Sequence, residues 1–173
     1  MPGFHDQLTE SLPALWRYAY ALTRDRAAAD DLVQDCAERA LRKRYLWLPH
    51  RPLRPWLMKM LLNGFRNRYR AETARATVPL DHAPPAATHD ASPETRLELA
   101  QTLAAVQALP PDQRDALLIV AVGGLDYKQA AAALGIPTGT LMSRLSRARA
   151  RLRDARTADA TPPSTAPNVR RLR

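Results

Sequence analysis

Apolar residues recur at steps of three and four along most of the chain, and this pattern predicts helices almost throughout. Leu8, Leu12, Leu15, Trp16, Ala19 and Leu22 form one stripe between Phe4 and Thr23. The stripe continues across Pro13, so a kink is expected there; a helix that begins at Pro13 is the alternative. Asp25 then caps a second helix, Ala27 to Leu48, with Ala29, Leu32, Val33, Cys36, Ala40, Leu41 and Tyr45 on its apolar face and Pro49 as its stop. A basic, proline-rich loop from Leu46 to Pro55 leads to a third helix. Pro55 suits its first turn, Trp56, Leu57, Met60, Leu61 and Phe65 face inward, and Lys59, Asn63, Arg66, Asn67 and Arg70 face outward.

The periodicity lapses over 73–92, where alanine, threonine, histidine and proline dominate; this reads as a semi-extended linker. Ser92-Pro93-Glu94 restarts a helix by capping chemistry, and Leu99, Leu103 and Val106 carry it to the break at Leu109-Pro110-Pro111. The run Ala116 to Val122 suits a buried strand or a buried helix. Its polar start and its bounding Pro-Pro and Gly-Gly pairs favour the helix, with Gly123 as its cap. A helix-turn-helix follows. Ala130, Ala131 and Leu134 make a small-residue helix, Gly135 takes the left-handed position after it, Ile136-Pro137 turns the chain, and Thr138 caps the next helix. Leu141, Leu145, Ala148 and Leu152 line one side of that helix, and Arg144, Arg147, Arg149, Arg151 and Arg153 the other. The expected fold class is therefore all-α: two small helical domains, 1–72 and 93–156, joined by a flexible linker at 73–92. The second domain is the helix-turn-helix, and 157–173 is a disordered basic tail.

Charge narrows the partners. Twenty-six Lys and Arg against seventeen Asp and Glu give the 173-residue chain a net charge of +9, which favours a polyanion such as nucleic acid. An anionic membrane surface is the competing reading. It has only the charge in its favour, since no apolar run approaches a spanning length, membrane insertion is not expected, and the first residues do not resemble a secretory signal. A single cysteine, Cys36, rules out an internal disulfide framework and makes a reducing cytoplasm the expected address.

The charge is also concentrated. From Arg42 to Ala71 there are nine Lys or Arg residues and no acid, with Trp47, Trp56, Phe65 and Tyr69 interleaved. Such a surface suits phosphates and the stacking of unpaired bases, although Trp56 and Phe65 fit a core equally well. Asn63 and Asn67, four residues apart, can make directional hydrogen bonds to bases. In the helix-turn-helix, the first turn from Thr138 to Arg144 can reach base edges in a major groove, while the distal arginines suit phosphates. A solvated arginine face on an ordinary helical hairpin is the plainer account. On the second helix, acids come early and bases late, an order that compensates the helix dipole without any function.

Enzyme classes find little support. There is no phosphate-cradling glycine loop, the histidines at 5, 50, 82 and 89 lack metal-ligand companions, and Cys36 has no CxxC partner. No metal or cofactor is expected; two linker histidines, His82 and His89, are too few for a site by themselves.

Three segments, DDLVQDCAERALRKRY from Asp30, RPWLMKMLLNGFRNRYR from Arg54 and LPPDQRDALLIVAVGGLDYKQAAAALGIPTGTLMSRLSRARARLR from Leu109, stand in the order found in a known family. Together they resemble the extracytoplasmic-function (ECF) sigma factors, the two-domain group of sigma-70 relatives of bacterial RNA polymerase, over about Leu12 to Arg153. The resemblance implies a non-enzymatic factor that binds core polymerase and directs promoter recognition and melting in a stress or envelope response. It assigns Asp31, Gln34, Asp35 and Glu38 to the clamp-helix coiled coil of the β′ subunit. Lys59, Asn63, Arg66, Asn67 and Arg70 are assigned to the −10 element, with the loop Leu46 to Pro55 capturing a flipped base. That loop is more proline-rich than in common members. Thr138, Thr140, Ser143, Arg144, Arg147 and Arg151 are assigned to the −35 element. The implied partners are core polymerase, including the β flap, promoter DNA and an anti-sigma factor. The N-terminus is expected to be shorter than in many members, without a first helix that they carry, and in this it resembles alphaproteobacterial general-stress members.

Two other assignments account for part of the pattern. A stand-alone helix-turn-helix regulator explains Leu125 to Arg153 but leaves the third helix idle. A sigma-mimicking adaptor that sequesters an anti-sigma factor keeps the fold without needing arginines at both DNA-facing sites.

Overall fold

The structure, a computed structural model, describes residues 3–75 and 92–159, all of them in helices, turns or short connections. Helix α1 spans Phe4–Thr23. The Gly3 N–H donates to the Asp6 carboxylate at 2.9 Å at its start, and the helix runs through Pro13 instead of beginning there. It ends at Arg24, a non-glycine residue in the left-handed region (φ 60°), whose N–H donates to the Tyr20 carbonyl.

Helix α2 spans Arg26–Arg42, and the Asp25 carboxylate accepts from the Ala28 N–H at 2.7 Å, the cap expected from sequence. The helix stops six residues short of the expected Leu48 and tightens into a 3-10 turn at Arg44–Leu46. That change of pitch removes Tyr45 from the apolar stripe. Leu41 and Tyr45, expected inside, are 40% and 78% exposed, while Ala29, Leu32, Cys36 and Ala40 are buried.

Helix α3 spans Leu53–Arg75, with Pro55 in its first turn. The Leu53 N–H donates to the Gln7 side-chain carbonyl at 3.2 Å, tying its start to α1. Its buried set is Leu53, Leu57, Met58, Leu61 and Leu62, whereas Trp56, Met60 and Phe65 are half-buried. The expected inward face was thus too narrow and turned aside. The cause is that α3 is covered by α1 and α2 and also by a helix of the C-terminal half.

That half begins with α4, Pro93–Gln107, followed by α5, Pro111–Ala121. Leu99, expected on the apolar side of α4, is exposed. The ambiguous run from Ala116 is helical and continues to a cap at Val122. Gly123 allows a close approach, since a Cβ there would lie 2.4 Å from the Ile119 carbonyl oxygen; Gly124 takes the left-handed turn (φ 67°). Helix α6, Tyr127–Leu134, opens on a capping box in which Asp126 accepts from the Gln129 N–H at 2.8 Å and the Gln129 side chain accepts from the Asp126 N–H. Gly135 (φ 70°) closes it, with the Ile136 N–H on the Ala131 carbonyl at 3.0 Å. Helix α7, Thr138–Asp159, has Thr138 as its first helical residue and not as its cap; the Leu141 N–H bonds the Pro137 carbonyl, so proline holds the cap position.

One hydrophobic cluster runs through both halves, from Leu15, Leu32 and Leu61 to Ile119, Ala130, Leu141 and Leu145. The span assigned to the linker begins inside α3, which continues to Arg75, and 76–91 lie outside the described residues. The span assigned to the tail begins inside α7, which continues to Asp159, and 160–173 lie outside them.

Candidate nucleic-acid interface

Helix α3 presents one continuous polar row. Lys59, Asn63, Asn67 and Arg70, separated by four, four and three residues, are all exposed, and at helical pitch they occupy one side. Two amides flanked by two cations can hydrogen-bond base edges while neutralising phosphates. Arg66, assigned to the same row, is placed differently. Its guanidinium donates through two nitrogens to one oxygen of Asp115 on α5, at 3.2 and 2.7 Å, and the Asp115 side chain is 7% exposed.

The aromatics divide as well. Trp47 is held in place: its ring meets Phe4 edge-on at 5.6 Å and its indole N–H donates to the Arg51 carbonyl at 3.0 Å, so it pins the proline-rich loop to α1. Trp56 and Phe65 are half-buried against the core. Tyr69, with its ring 6.3 Å from Phe65, is exposed, and so are Tyr45, Leu46 and Leu48 in the segment before α3.

The acidic face of α2 is exposed at Asp31, Gln34, Asp35 and Glu38. The Gln34 amide donates to the Glu38 carboxylate at 3.2 Å. Asp35 leans instead toward α3, where it pairs with Arg68; Arg68 also reaches the Asp31 carbonyl oxygen. Asp31 and Gln34 therefore form the outward part of this face. Behind it lies a cleft between α2 and α3 lined by Leu32, Cys36, Met60 and Gly64. Burial pushes the Cys36 thiol up to about 12, and the sulfur lies 3.5 Å from the Leu57 carbonyl. Such a thiol is a packing group and a poor nucleophile at neutral pH.

In the helix-turn-helix, Leu141, Leu145 and Ala148 are buried and Leu152 is half-buried, so this face is as the spacing predicts. Thr138, Ser143, Arg147 and Arg151 are exposed, and Thr140 is half-buried. Arg147 folds back on Ser143, reaching its hydroxyl and its carbonyl oxygen at 3.3 Å each. Arg144 does not belong to the exposed stripe; its side chain is 24% exposed and pairs with Asp112 of α5 at 3.2 Å.

Sequence reasoning missed Asp112 and Asp115. Both sit in α5 at a spacing of three, and each holds an arginine that helical spacing had turned outward and the family resemblance had assigned to DNA. Their signal was an acid pair in a strongly basic chain, next to an apolar run that had to be packed. Among the described residues no group of three or more His, Cys, Asp or Glu side chains could hold a metal ion, and no helix is long and apolar enough to cross a membrane. His82 and His89 lie outside the described residues.

Comparison with known proteins fits this layout. Residues 8–62 match the family model described as the Sigma2 domain of PhyR, and residues 99–152 match Sigma-70, region 4. The chain is 37% identical over 152 residues to the ECF RNA polymerase sigma factor EcfG of Rhodopseudomonas palustris (strain TIE-1), covering 87% of this chain and 83% of that one. Among solved structures it is similar to the sigma factor RpoE of Bartonella quintana, determined in complex with the anti-sigma factor NepR. The TM-score is 0.77 and the identity 31%, over 90% of this chain and 98% of that one. CnrH, solved with the cytosolic domain of CnrY, matches with a TM-score of 0.69 and 28% identity, over 90% and 88% of the two chains. A helix-turn-helix of the region 4 kind and a sigma2-type helical unit in one chain, with a relative of this identity and coverage, place the protein among the ECF sigma factors of RNA polymerase, as a factor of transcription initiation.

Proposed function

We propose that the chain binds core polymerase through the outward face of α2 and reads two promoter elements, the −10 strand on α3 and the −35 duplex on α7. Asp31, Gln34 and Glu38 would meet the β′ clamp helices, with Asp35 supporting the face through Arg68. Lys59, Asn63, Asn67 and Arg70 would hold the melted −10 strand, joined by Arg66 once it leaves Asp115. Thr138, Thr140, Ser143 and Arg147 would approach −35 base edges, Arg151 would contact phosphate, and Arg144 would position α7 on α5. The C-terminal helices would also meet the β flap. The polymerase supplies the chemistry, so this chain needs no catalytic residue or cofactor and works in the cytoplasm beside its polymerase. The complex of one relative with an anti-sigma factor, NepR, supports an anti-sigma factor as a further partner; a stress or envelope response is the setting that the family resemblance implies.

The observation that carries this reading is the exposed row Lys59, Asn63, Asn67 and Arg70 on the same three-helix unit as the outward acidic face. The experiment is competition for core polymerase by the chain carrying Asp31→Ala and Gln34→Ala. Exposed substitutions of this kind shift stability by about 0.5 kcal/mol or less, so helicity is expected to hold while competition falls at least about tenfold. Undiminished competition by the folded double variant would remove α2 from the polymerase interface.

A further inference from the structure

The large apolar residues of α7 turn inward with one exception. Leu141 and Leu145 are buried and Leu152 is half-buried, whereas Met142, the fifth residue of the helix, is 53% exposed. A single exposed apolar side chain is ordinary on a protein surface, so its position decides what it means. Met142 stands in the first turns of the second helix of the helix-turn-helix, the part that meets base edges when such a helix enters a major groove. Gly139 and Ser146, three residues before it and four after, share its side of the helix and are exposed. Both are short, and a Cβ on Gly139 would meet nothing within 4 Å. Arg149, two turns farther along the same side, bends toward α6, where its guanidinium donates to the Tyr127 hydroxyl at 3.4 Å. Met142 therefore stands above its neighbours on this side of α7.

The chemistry of that side chain restricts what it can recognise. A thioether has no hydrogen to donate and its sulfur accepts only weakly, so Met142 cannot read a base through a directional hydrogen bond. It offers instead a flexible, polarizable apolar arm. The major groove presents one apolar group, the C5 methyl of thymine, while the edges of the other bases carry only donors and acceptors. Pressing Met142 against those edges strips water from polar atoms and returns no hydrogen bond. Against thymine, the methyl group and the side chain leave water together, which is favourable.

We propose that Met142 is a specificity-determining residue for the −35 element: it packs on the C5 methyl of one thymine and so favours an A·T pair at that position, in the orientation that sets the methyl against α7. This role rests on α7 as the helix that reads the −35 duplex, as set out above. Thr138, Thr140, Ser143 and Arg147, already placed toward that element, all carry groups that hydrogen-bond. Met142 adds a contact that discriminates by shape and hydrophobicity alone.

Holoenzyme reconstituted from the full chain and core polymerase is tested on duplex promoters that it recovers from a pool of genomic fragments. Each thymine of the −35 element, on either strand, is replaced in turn by deoxyuridine, which removes the methyl group and nothing else, and affinity is measured by competition. One replacement is expected to weaken binding about fourfold, the effect of one methyl group no longer withdrawn from water. In Met142→Gln, close in size but polar, the same replacement should make no difference, and Met142→Leu should restore most of the effect. Exposed substitutions seldom disturb a fold; should Met142→Gln lose helicity, Met142→Ala takes its place, since alanine favours the helix. Insensitivity of the parent at every thymine would overturn the proposal. So would a methyl effect of the same size in Met142→Gln, which would assign the methyl contact to Thr138 or Thr140. Weaker competition for core polymerase by Met142→Gln, with the methyl effect intact, would overturn it too and set Met142 against protein. In these three cases α7 remains the reader of the −35 duplex. Promoters whose −35 sequence can be scrambled without loss of affinity would overturn both.

Discussion

Arg144 and Arg66 show how much an arginine's role depends on the acid it faces. Both lie where helical spacing makes a DNA contact natural, and both turn to carboxylates of α5. Spacing alone gives the direction of a Cβ, while the long guanidinium arm goes to whichever partner folding brings near. Because the Asp112 side chain is about half exposed, its pair with Arg144 is worth at most about 1 kcal/mol. In holoenzyme assayed against a library of −35 sequences, Arg144→Ala should therefore weaken all sequences alike and keep base preferences intact. Arg147→Ala, which also frees Ser143, should relax preference at one or two positions at a cost of about 1–3 kcal/mol. Loss of preference in Arg144→Ala would return that residue to the base-reading set. Asn63 and Asn67 were legible from the start, because short polar side chains on an exposed helical side have little choice of direction.

At the scale of elements, the sequence marked most helices through their punctuation. Asp25, Pro55, the Pro110-Pro111 pair and Gly135 each act as their chemistry suggests. The Asp126-Tyr127-Lys128-Gln129 capping box carried the same kind of signal and went unread. The end of α2 was not legible, because Leu41, Tyr45 and Leu48 continue an apolar stripe in the sequence, whereas Leu41 is already exposed inside α2 and Tyr45 and Leu48 are exposed beyond its end. Nor was the buried side of α3, since a helix covered on several flanks loses the single stripe that periodicity detects. The turn between α5 and α6 depends on Gly123 more than on its left-handed neighbour. Adding a methyl group there sets it 2.4 Å from the Ile119 carbonyl oxygen, and the backbone must shift to admit it. Thermal or urea unfolding of Gly123→Ala is expected to show a loss of about 1–3 kcal/mol. A variant as stable as the parent would mean that this turn relaxes freely.

Over the whole molecule, the expectation of an all-helical chain holds for the described residues, but it does not tell which helices pack on one another. Composition and periodicity report what each segment buries, but not against which distant segment, so the continuous core from Leu15 to Leu145 was invisible in the sequence. The same gap hid the contact that occupies Arg66. Family resemblance supplied the polymerase and promoter assignments, and the geometry divides them into outward residues, such as Asp31 and Asn63, and residues already engaged within the chain, such as Asp35 and Arg144.

The central claim is that this chain confers promoter choice on a polymerase, with Asn63 on the melted strand. Run-off transcription with purified bacterial core polymerase on a pool of genomic fragments tests it most directly. Adding the chain should produce discrete transcripts that core polymerase alone does not make. Asn63→Ala should reduce their formation about tenfold or more, as expected for loss of one or two base contacts of about 1–3 kcal/mol each. No specific transcript above core polymerase alone, or full transcription by Asn63→Ala on closed duplex promoters, would contradict the account.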